Sequence, residues 1–208
     1  MIGRTSFHNV AGTRCATDFV ELPSVLMEYF ATSPAVLPLF ARHHSTDTPL
    51  PVEYLEQYKS SESHFYGLET HSQLVMAALD QALHTVDLKE TGMSTNQIYY
   101  DVQKDWSLFP PVENTSWQTQ FGHLFGYGAC YYSYLFDRAI ASKIWTTLFQ
   151  NNPLDRQAGE QYRQGILRWG GSREPWECIA DTFSAPELAK GGDKAMAIVG
   201  DWGILSNL

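Results

Sequence analysis

The sequence has few cysteines and no long apolar run. Cysteine occurs three times among 208 residues, at the widely spaced positions Cys15, Cys130 and Cys178, without a C-x-x-C pair. This pattern argues against a disulfide framework and against a cysteine zinc site, and it favours reduced thiols in an intracellular compartment. No apolar run approaches the roughly 18 residues that a transmembrane helix needs. We therefore expect no membrane span.

Basic residues are also scarce. Lys and Arg total 14 against 23 for Asp and Glu, a formal net charge of -9. Such a chain has no overall positive potential to attract the phosphates of a nucleic acid. We therefore expect no nucleic-acid partner. The first ten residues lack the apolar stretch of a secretory signal and the pattern of a transit peptide. The sequence thus shows no targeting segment.

Helical periodicity dominates the rest. Apolar residues make up 44% of the chain, enough for a sizeable core in one domain over residues 1–208. The fold class that we predict is mostly α: a multi-helix array with at most a short β ribbon near the N-terminus, at residues 6–10. Apolar spacing and breakers predict helices at residues 18–30, 51–58, 60–85, 95–106, 128–150, 155–168 and 175–182.

Two carboxylates stand at the start of the first long apolar helix. Asp18 and Glu21 have the spacing of a capping box, and acidic groups suit the positive end of a helix dipole. Glu28 follows seven residues later on the face of Glu21. Alternatively, Glu21 is a buried metal ligand or acid–base group. Spacing alone favours the cap.

A second set combines an imidazole with three phenols. If their segment is helical, His123, Tyr127, Tyr131 and Tyr134 step by four, four and three and form one stripe. Such donors could stabilise an oxyanion that develops during a reaction. An aromatic core stripe with satisfied hydroxyl groups is the alternative, and both interpretations stay open here.

Other signatures are weak or missing. The Gly-Gly-Ser stretch within residues 168–175 could form an anion-binding nest, but a plain turn between helices is more common. The sequence contains no H-E-x-x-H or E-x-x-H motif, no G-x-S-x-G, no phosphate loop and no dinucleotide fingerprint. The residues by themselves therefore give a possible polar cleft without a complete catalytic set.

The segment from Gly12 to Pro23 resembles a motif of the thimet oligopeptidase family of zinc peptidases. It reads G-T-R-C-A-T-D-F-V-E-L-P and matches the Gly-Thr-x-x-x-x-Asp-Phe-x-Glu-x-Pro stretch that supplies the third zinc ligand in that family. The resemblance implies that Glu21 binds a single zinc ion. It also implies that Asp18 holds a zinc-binding histidine through a hydrogen bond.

The resemblance continues through the His-Leu-x-Gly-Tyr and Tyr-Tyr-x-Tyr element and into residues 173–175. It implies that His123, Tyr127, Tyr131 and Tyr134 line a substrate groove and stabilise the tetrahedral intermediate. Arg14 and Cys15 in the first motif, and the residues Y-G-A-C-Y-Y-S-Y at 127–134 in the second, favour the mitochondrial branch of the family. For that branch the resemblance implies removal of short N-terminal peptides from imported precursor proteins in the mitochondrial matrix.

One departure from the family pattern limits this expectation. In the family an H-E-x-x-H helix lies just upstream of the stretch that matches residues 1–5, and this sequence does not contain it. A catalytic zinc needs three protein ligands. The resemblance therefore implies a C-terminal fragment of a metalloendopeptidase, inactive alone. The alternative is a non-catalytic helical module that binds peptides. Neither interpretation predicts the oligomeric state.

Overall fold

The computed structural model describes residues 2–204, apart from the side chain of Glu62. Residue 1, which opens the family-like stretch 1–5, and residues 205–208 at the end of the predicted domain lie outside the described residues. The fold is mostly α, as predicted. The α-helices are α1 Leu22–Ala31, α2 Val52–Thr85, α3 Leu88–Thr91, α4 Thr95–Trp106, α5 His123–Gly126, α6 Ser133–Ile144, α7 Arg156–Tyr162, α8 Pro175–Phe183 and α9 Gly192–Trp202.

Shorter 3₁₀ and π segments connect or extend these helices. The 3₁₀ segments are His8–Val10, Thr17–Phe19, Leu37–Leu39, Trp117–Gln120 and Pro186–Leu188. The π segments are Trp145–Phe149, which extends α6, and Arg163–Leu167, which extends α7. No α-helix within residues 2–204 is both long and apolar enough to cross a membrane.

The β ribbon that the sequence allowed at residues 6–10 does not form, since His8–Val10 is a 3₁₀ segment. Over the described residues the only strand-like pairing is an isolated antiparallel bridge between Arg42 and Pro49. The N-terminal segment has a different backbone partner: the N–H of Gly171 donates to the carbonyl of Val10 at 2.8 Å. This partner is a turn rather than a strand, so no ladder can propagate.

The chain folds as two compact units. The first unit comprises residues 2–64 and 136–204, and the second comprises residues 65–135. The core of the first unit is built from α1, α6, α7, α8 and α9. Its fully buried side chains include Leu22, Leu26, Ile140, Ile144 and Ile179.

A smaller core holds the second unit together. Val75 and Leu79 of α2 pack against Ile98, Tyr99 and Val102 of α4. The start of α4 is fixed locally, because the Ser94 hydroxyl accepts a hydrogen bond from the main-chain N–H of Gln97 at 3.2 Å.

Three sequence predictions about helices need correction. The capping box is wrong: Asp18 lies in the 3₁₀ segment Thr17–Phe19, and the Glu21 side chain makes no capping bond at the start of α1. The helix predicted at 128–150 begins only at Ser133, because Ala129 adopts a left-handed conformation with φ of 60°. The helices predicted at 51–58 and 60–85 are one continuous helix, α2.

The Gly-Gly stretch of residues 168–175 is a turn before α8. Gly170 has a positive φ of 51°. A Cβ atom on Gly170 would overlap the carbonyl oxygen of Val10, and one on Gly171 would overlap that of Arg14. Close packing against the N-terminal segment therefore explains both glycines.

Candidate functional site

Glu21 lies at the N-terminal end of α1 in the first unit. The Ser24 hydroxyl donates to Glu21 Oε2 at 2.8 Å and also lies 2.8 Å from the Glu21 carbonyl oxygen. Pro23 occupies the first turn, where its missing N–H costs no helical bond. The carboxylate of Glu21 is partly exposed rather than buried, so a ligand can reach it.

A third carboxyl group, Asp137, belongs to the same neighbourhood. It lies on α6 and is fully buried, and neither of its oxygens makes a hydrogen bond of ordinary length and angle. Burial raises the pKa of Asp137 to about 8, and the negative charges of Asp18 and Glu21 contribute to that rise. The main-chain N–H of Glu21 opposes it. Asp137 is therefore mostly protonated at neutral pH.

Two further groups respond to these carboxylates. The buried Tyr162 hydroxyl has no hydrogen-bond partner, and burial, followed by the charge of Asp137, raises its pKa. Burial also raises the pKa of the Cys15 thiol. A backbone hydrogen bond at Cys15 lowers this pKa in part, and the negative charges of Asp137 and Asp18 add smaller increases. Because a thiolate is the reactive form, Cys15 is not an activated nucleophile.

The described residues do not provide a complete metal site. Within residues 2–204 no group of three or more His, Cys, Asp or Glu side chains could hold a metal ion. Catalytic zinc sites use three protein ligands and keep one position open. Glu21 presents a partly exposed carboxylate, a group of the kind that zinc binds.

The second unit brings the predicted imidazole and phenols together. The His123 ring centroid lies 5.8 Å from that of Tyr127, 5.3 Å from that of Tyr131 and 5.9 Å from that of Tyr134. Tyr131 and Tyr134 are themselves 5.1 Å apart. The Tyr134 hydroxyl lies 3.5 Å from His123 Nε2. We call these four residues the ring cluster.

The ring-cluster residues lie on α5, on the turn after it and on α6, and not on the single continuous helix that their spacing predicted. His123 starts the short helix α5, Tyr127 and Tyr131 lie in the following turn, and Tyr134 lies in the first turn of α6. Ala129, in this turn, has a left-handed backbone conformation with φ of 60°. His123, Tyr127 and Tyr134 are partly exposed, whereas Tyr131 is buried and its hydroxyl donates to Gln73 Oε1 at 2.9 Å.

The comparisons with known proteins agree with the two motifs. The model of peptidase family M3 matches residues 1–198. The mitochondrial intermediate peptidase of Yarrowia lipolytica is 53% identical over 205 residues, which are 97% of this chain and 26% of that protein. The proteins of the same name from Malassezia globosa and Pyricularia oryzae are 50% and 49% identical, over 100% and 98% of this chain and 26% of each relative.

The chain thus spans about a quarter of the length of these relatives. The family match covers both the segment with Glu21 and the segment with the ring cluster. The chain belongs to peptidase family M3.

Proposed function

We propose that this chain is the C-terminal portion of the catalytic domain of a larger zinc metalloendopeptidase, and that it is inactive alone. The observation that carries the proposal is the ring cluster, in which one imidazole and three phenols meet within the second unit. The family match supports peptide-bond cleavage as the reaction. The sequence has no H-E-x-x-H motif, so the proposal places two histidine ligands and the general-base glutamate outside this chain.

Glu21 is the proposed zinc ligand of this chain. Its partly exposed carboxylate is held by Ser24 at 2.8 Å, which limits its rotation and favours one direction of binding. A bound zinc ion supplies Lewis-acid polarisation and lowers the pKa of water toward ~7. Asp18, three residues earlier, is the proposed hydrogen-bond acceptor for a zinc-binding histidine.

The ring cluster is the proposed site of transition-state stabilisation. Negative charge develops on the scissile carbonyl oxygen when the peptide bond is attacked. Fixed donors aimed at that oxygen lower the barrier, and one good donor is worth roughly 10²–10³ in kcat. Tyr134 and His123 are both partly exposed, and the Tyr134 hydroxyl lies 3.5 Å from His123 Nε2, so they are the leading candidates for this role.

The proposed substrates are precursor proteins from which a short N-terminal peptide is removed in the mitochondrial matrix. The relatives at 49–53% identity are named mitochondrial intermediate peptidases, which supports this choice. The net charge of -9 also suits basic targeting peptides, because complementary charge favours encounter.

A chimaeric enzyme tests the proposal. This chain would replace the matching segment of the Yarrowia lipolytica peptidase, and cleavage of a precursor peptide would be measured. Glu21→Gln should abolish cleavage, and Tyr134→Phe should lower kcat by roughly 10²–10³ with little change in KM. Glu28→Gln is the matched control: Glu28 is an exposed carboxylate on the same helix, and its loss should leave cleavage unchanged.

Normal cleavage by both Glu21→Gln and Tyr134→Phe would contradict the proposed site. A chimaera that binds the precursor peptide without cleaving it or holding zinc would favour the peptide-binding module instead.

A further inference from the structure

Asp80 is a fully buried carboxylate on α2 with two main-chain partners far along the chain. Its Oδ1 accepts a hydrogen bond from the N–H of Ala129 at 3.0 Å, and its Oδ2 accepts one from the N–H of Tyr131 at 2.9 Å. Both donors belong to the turn between α5 and α6, which carries Tyr127 and Tyr131 of the ring cluster. Both carboxylate oxygens of Asp80 therefore accept hydrogen bonds from the main chain of this turn.

Neighbouring side chains of α2 hold the same turn. Gln81 Nε2 donates to the carbonyl of Ala129 at 2.9 Å. His84 Nδ1 lies 3.0 Å from Asp80 Oδ1, and a Cβ atom on Gly128 would come within 2.5 Å of His84 Nε2. Because Gly128 has no side chain, the imidazole can lie directly against the turn.

The turn needs such support because its backbone is unfavourable. Ala129 has a φ of 60° without being glycine, and its Cβ makes that left-handed conformation costly. Such a conformation persists where the surrounding structure over-determines it. Here Asp80 and Gln81 satisfy both polar main-chain groups of Ala129.

The same helix also fixes the far end of one ring. The Tyr131 hydroxyl donates to Gln73 Oε1 at 2.9 Å and lies 3.6 Å from Met76 Sδ. Asp80 thus holds the main chain of Tyr131 while Gln73 holds its phenol. The Tyr131 ring in turn contacts His123 and Tyr134, with centroids 5.3 and 5.1 Å away.

We propose that Asp80 is the positioning residue of the ring cluster: its carboxylate fixes the turn at Ala129–Tyr131 and so sets where the phenols and the imidazole point. The consequence for catalysis rests on the proposed function, whereas the consequence for the turn does not. Asp80 itself does not touch the substrate in this proposal.

Amide hydrogen exchange in the 208-residue chain tests the structural part. Asp80→Asn replaces one acceptor oxygen by a donor, so one of the two N–H groups loses its partner. Exchange at Ala129 or Tyr131 should become roughly 10- to 100-fold faster, as expected for a hydrogen bond to a charged group. Asp101→Asn is the control, since Asp101 is an exposed carboxylate of the same unit whose side chain accepts from Gln97. Unchanged exchange at both amides in Asp80→Asn would overturn the proposal.

Kinetics of the chimaeric enzyme test the catalytic part. Asp80→Asn should lower kcat per zinc-loaded site about 10-fold or more and leave KM within about twofold, the signature of an interaction made in the transition state. When Tyr134→Phe is already present, the further loss from Asp80→Asn should be clearly smaller. Full additivity of the two losses, or a kcat equal to that of the unsubstituted chimaera, would refute the positioning role.

The two proposals can fail separately. If Tyr134→Phe lowers kcat while Asp80→Asn does not, the positioning role is wrong and the proposed function stands. If Asp80→Asn accelerates exchange while Glu21→Gln and Tyr134→Phe leave cleavage intact, the proposed function is wrong. Should Asp80→Asn prevent folding, Gln81→Ala replaces it: Gln81 is exposed, and losing its bond to Ala129 should accelerate exchange in the turn and lower kcat in the same direction. No change in either would again overturn the positioning role.

Discussion

Replacing Asp137 by Asn should remove a specific pH dependence from the stability of the chain. The folded state raises the pKa of this carboxyl from 3.8 to about 8, chiefly by burial. Between these values the folded state holds one proton that the unfolded state releases. The free energy of unfolding therefore falls by about 1.4 kcal/mol for each pH unit as the pH rises. This contribution is fully present below the unfolded pKa and is lost as the pH approaches 8.

Asparagine has the shape of the protonated acid but cannot titrate. The free energy of unfolding of Asp137→Asn minus that of the unsubstituted chain should therefore grow by about 3 kcal/mol between pH 5 and pH 7. Groups that titrate equally in both chains cancel in this difference.

Urea unfolding of both chains at pH 5, 6 and 7 measures this difference. A chelator should be present, so that no bound cation alters the charge near Asp18 and Glu21. Asp101→Asn, an exposed carboxylate, is the control and should show no growing difference. A constant difference for Asp137→Asn over the same range would refute the raised pKa.

Three further predictions concern packing. Gly171→Ala should lower the free energy of unfolding by about 1–3 kcal/mol in urea melts, because its Cβ would overlap the carbonyl oxygen of Arg14; equal stability would contradict this close approach. Leu26→Ala should cost about 2–5 kcal/mol in the same assay, since Leu26 is fully buried; a loss below about 1 kcal/mol would contradict its core position. Cys178 should resist thiol reagents in the folded chain, as the thiol is buried and its pKa is raised to about 11, first by burial. Rapid labelling of Cys178 without unfolding would contradict this burial.

The helices with strong local signals could be predicted from the sequence. Residues 95–106 match α4 at both ends, because the Ser94 cap and an amphipathic pattern define it locally. The start of α6 could not be predicted, since the left-handed conformation of Ala129 depends on hydrogen bonds to α2. Helix α9, residues 192–202, was not predicted at all.

The sequence predicted that the four ring-cluster residues lie together, but it based this on a single continuous helix. Its helical spacing predicted one stripe, but Tyr127 and Tyr131 lie in a turn. The rings still meet, because the turn folds back and places Tyr131 beside Tyr134 at 5.1 Å. Periodicity left both a functional site and an aromatic core open, and only the resemblance to known motifs favoured a substrate groove.

The two buried carboxylates were missed altogether. Asp80 is fully buried, and the main-chain groups that it binds lie 49 and 51 residues away in the sequence. Asp137 stands among the apolar residues of α6, and a lone acid in such a pattern was the available signal. Long-range partners of this kind leave little trace in a single sequence.

Zinc binding tests the role of Glu21 most directly. The chimaeric peptidase carrying this chain should hold close to one zinc ion, and Glu21→Gln should weaken zinc affinity by more than the roughly 10- to 100-fold typical of residues that only support a ligand. Glu28→Gln should bind zinc as the unsubstituted chimaera does. Unchanged zinc affinity in Glu21→Gln, measured by competition with a chelator, would contradict the assignment of this carboxylate as a metal ligand.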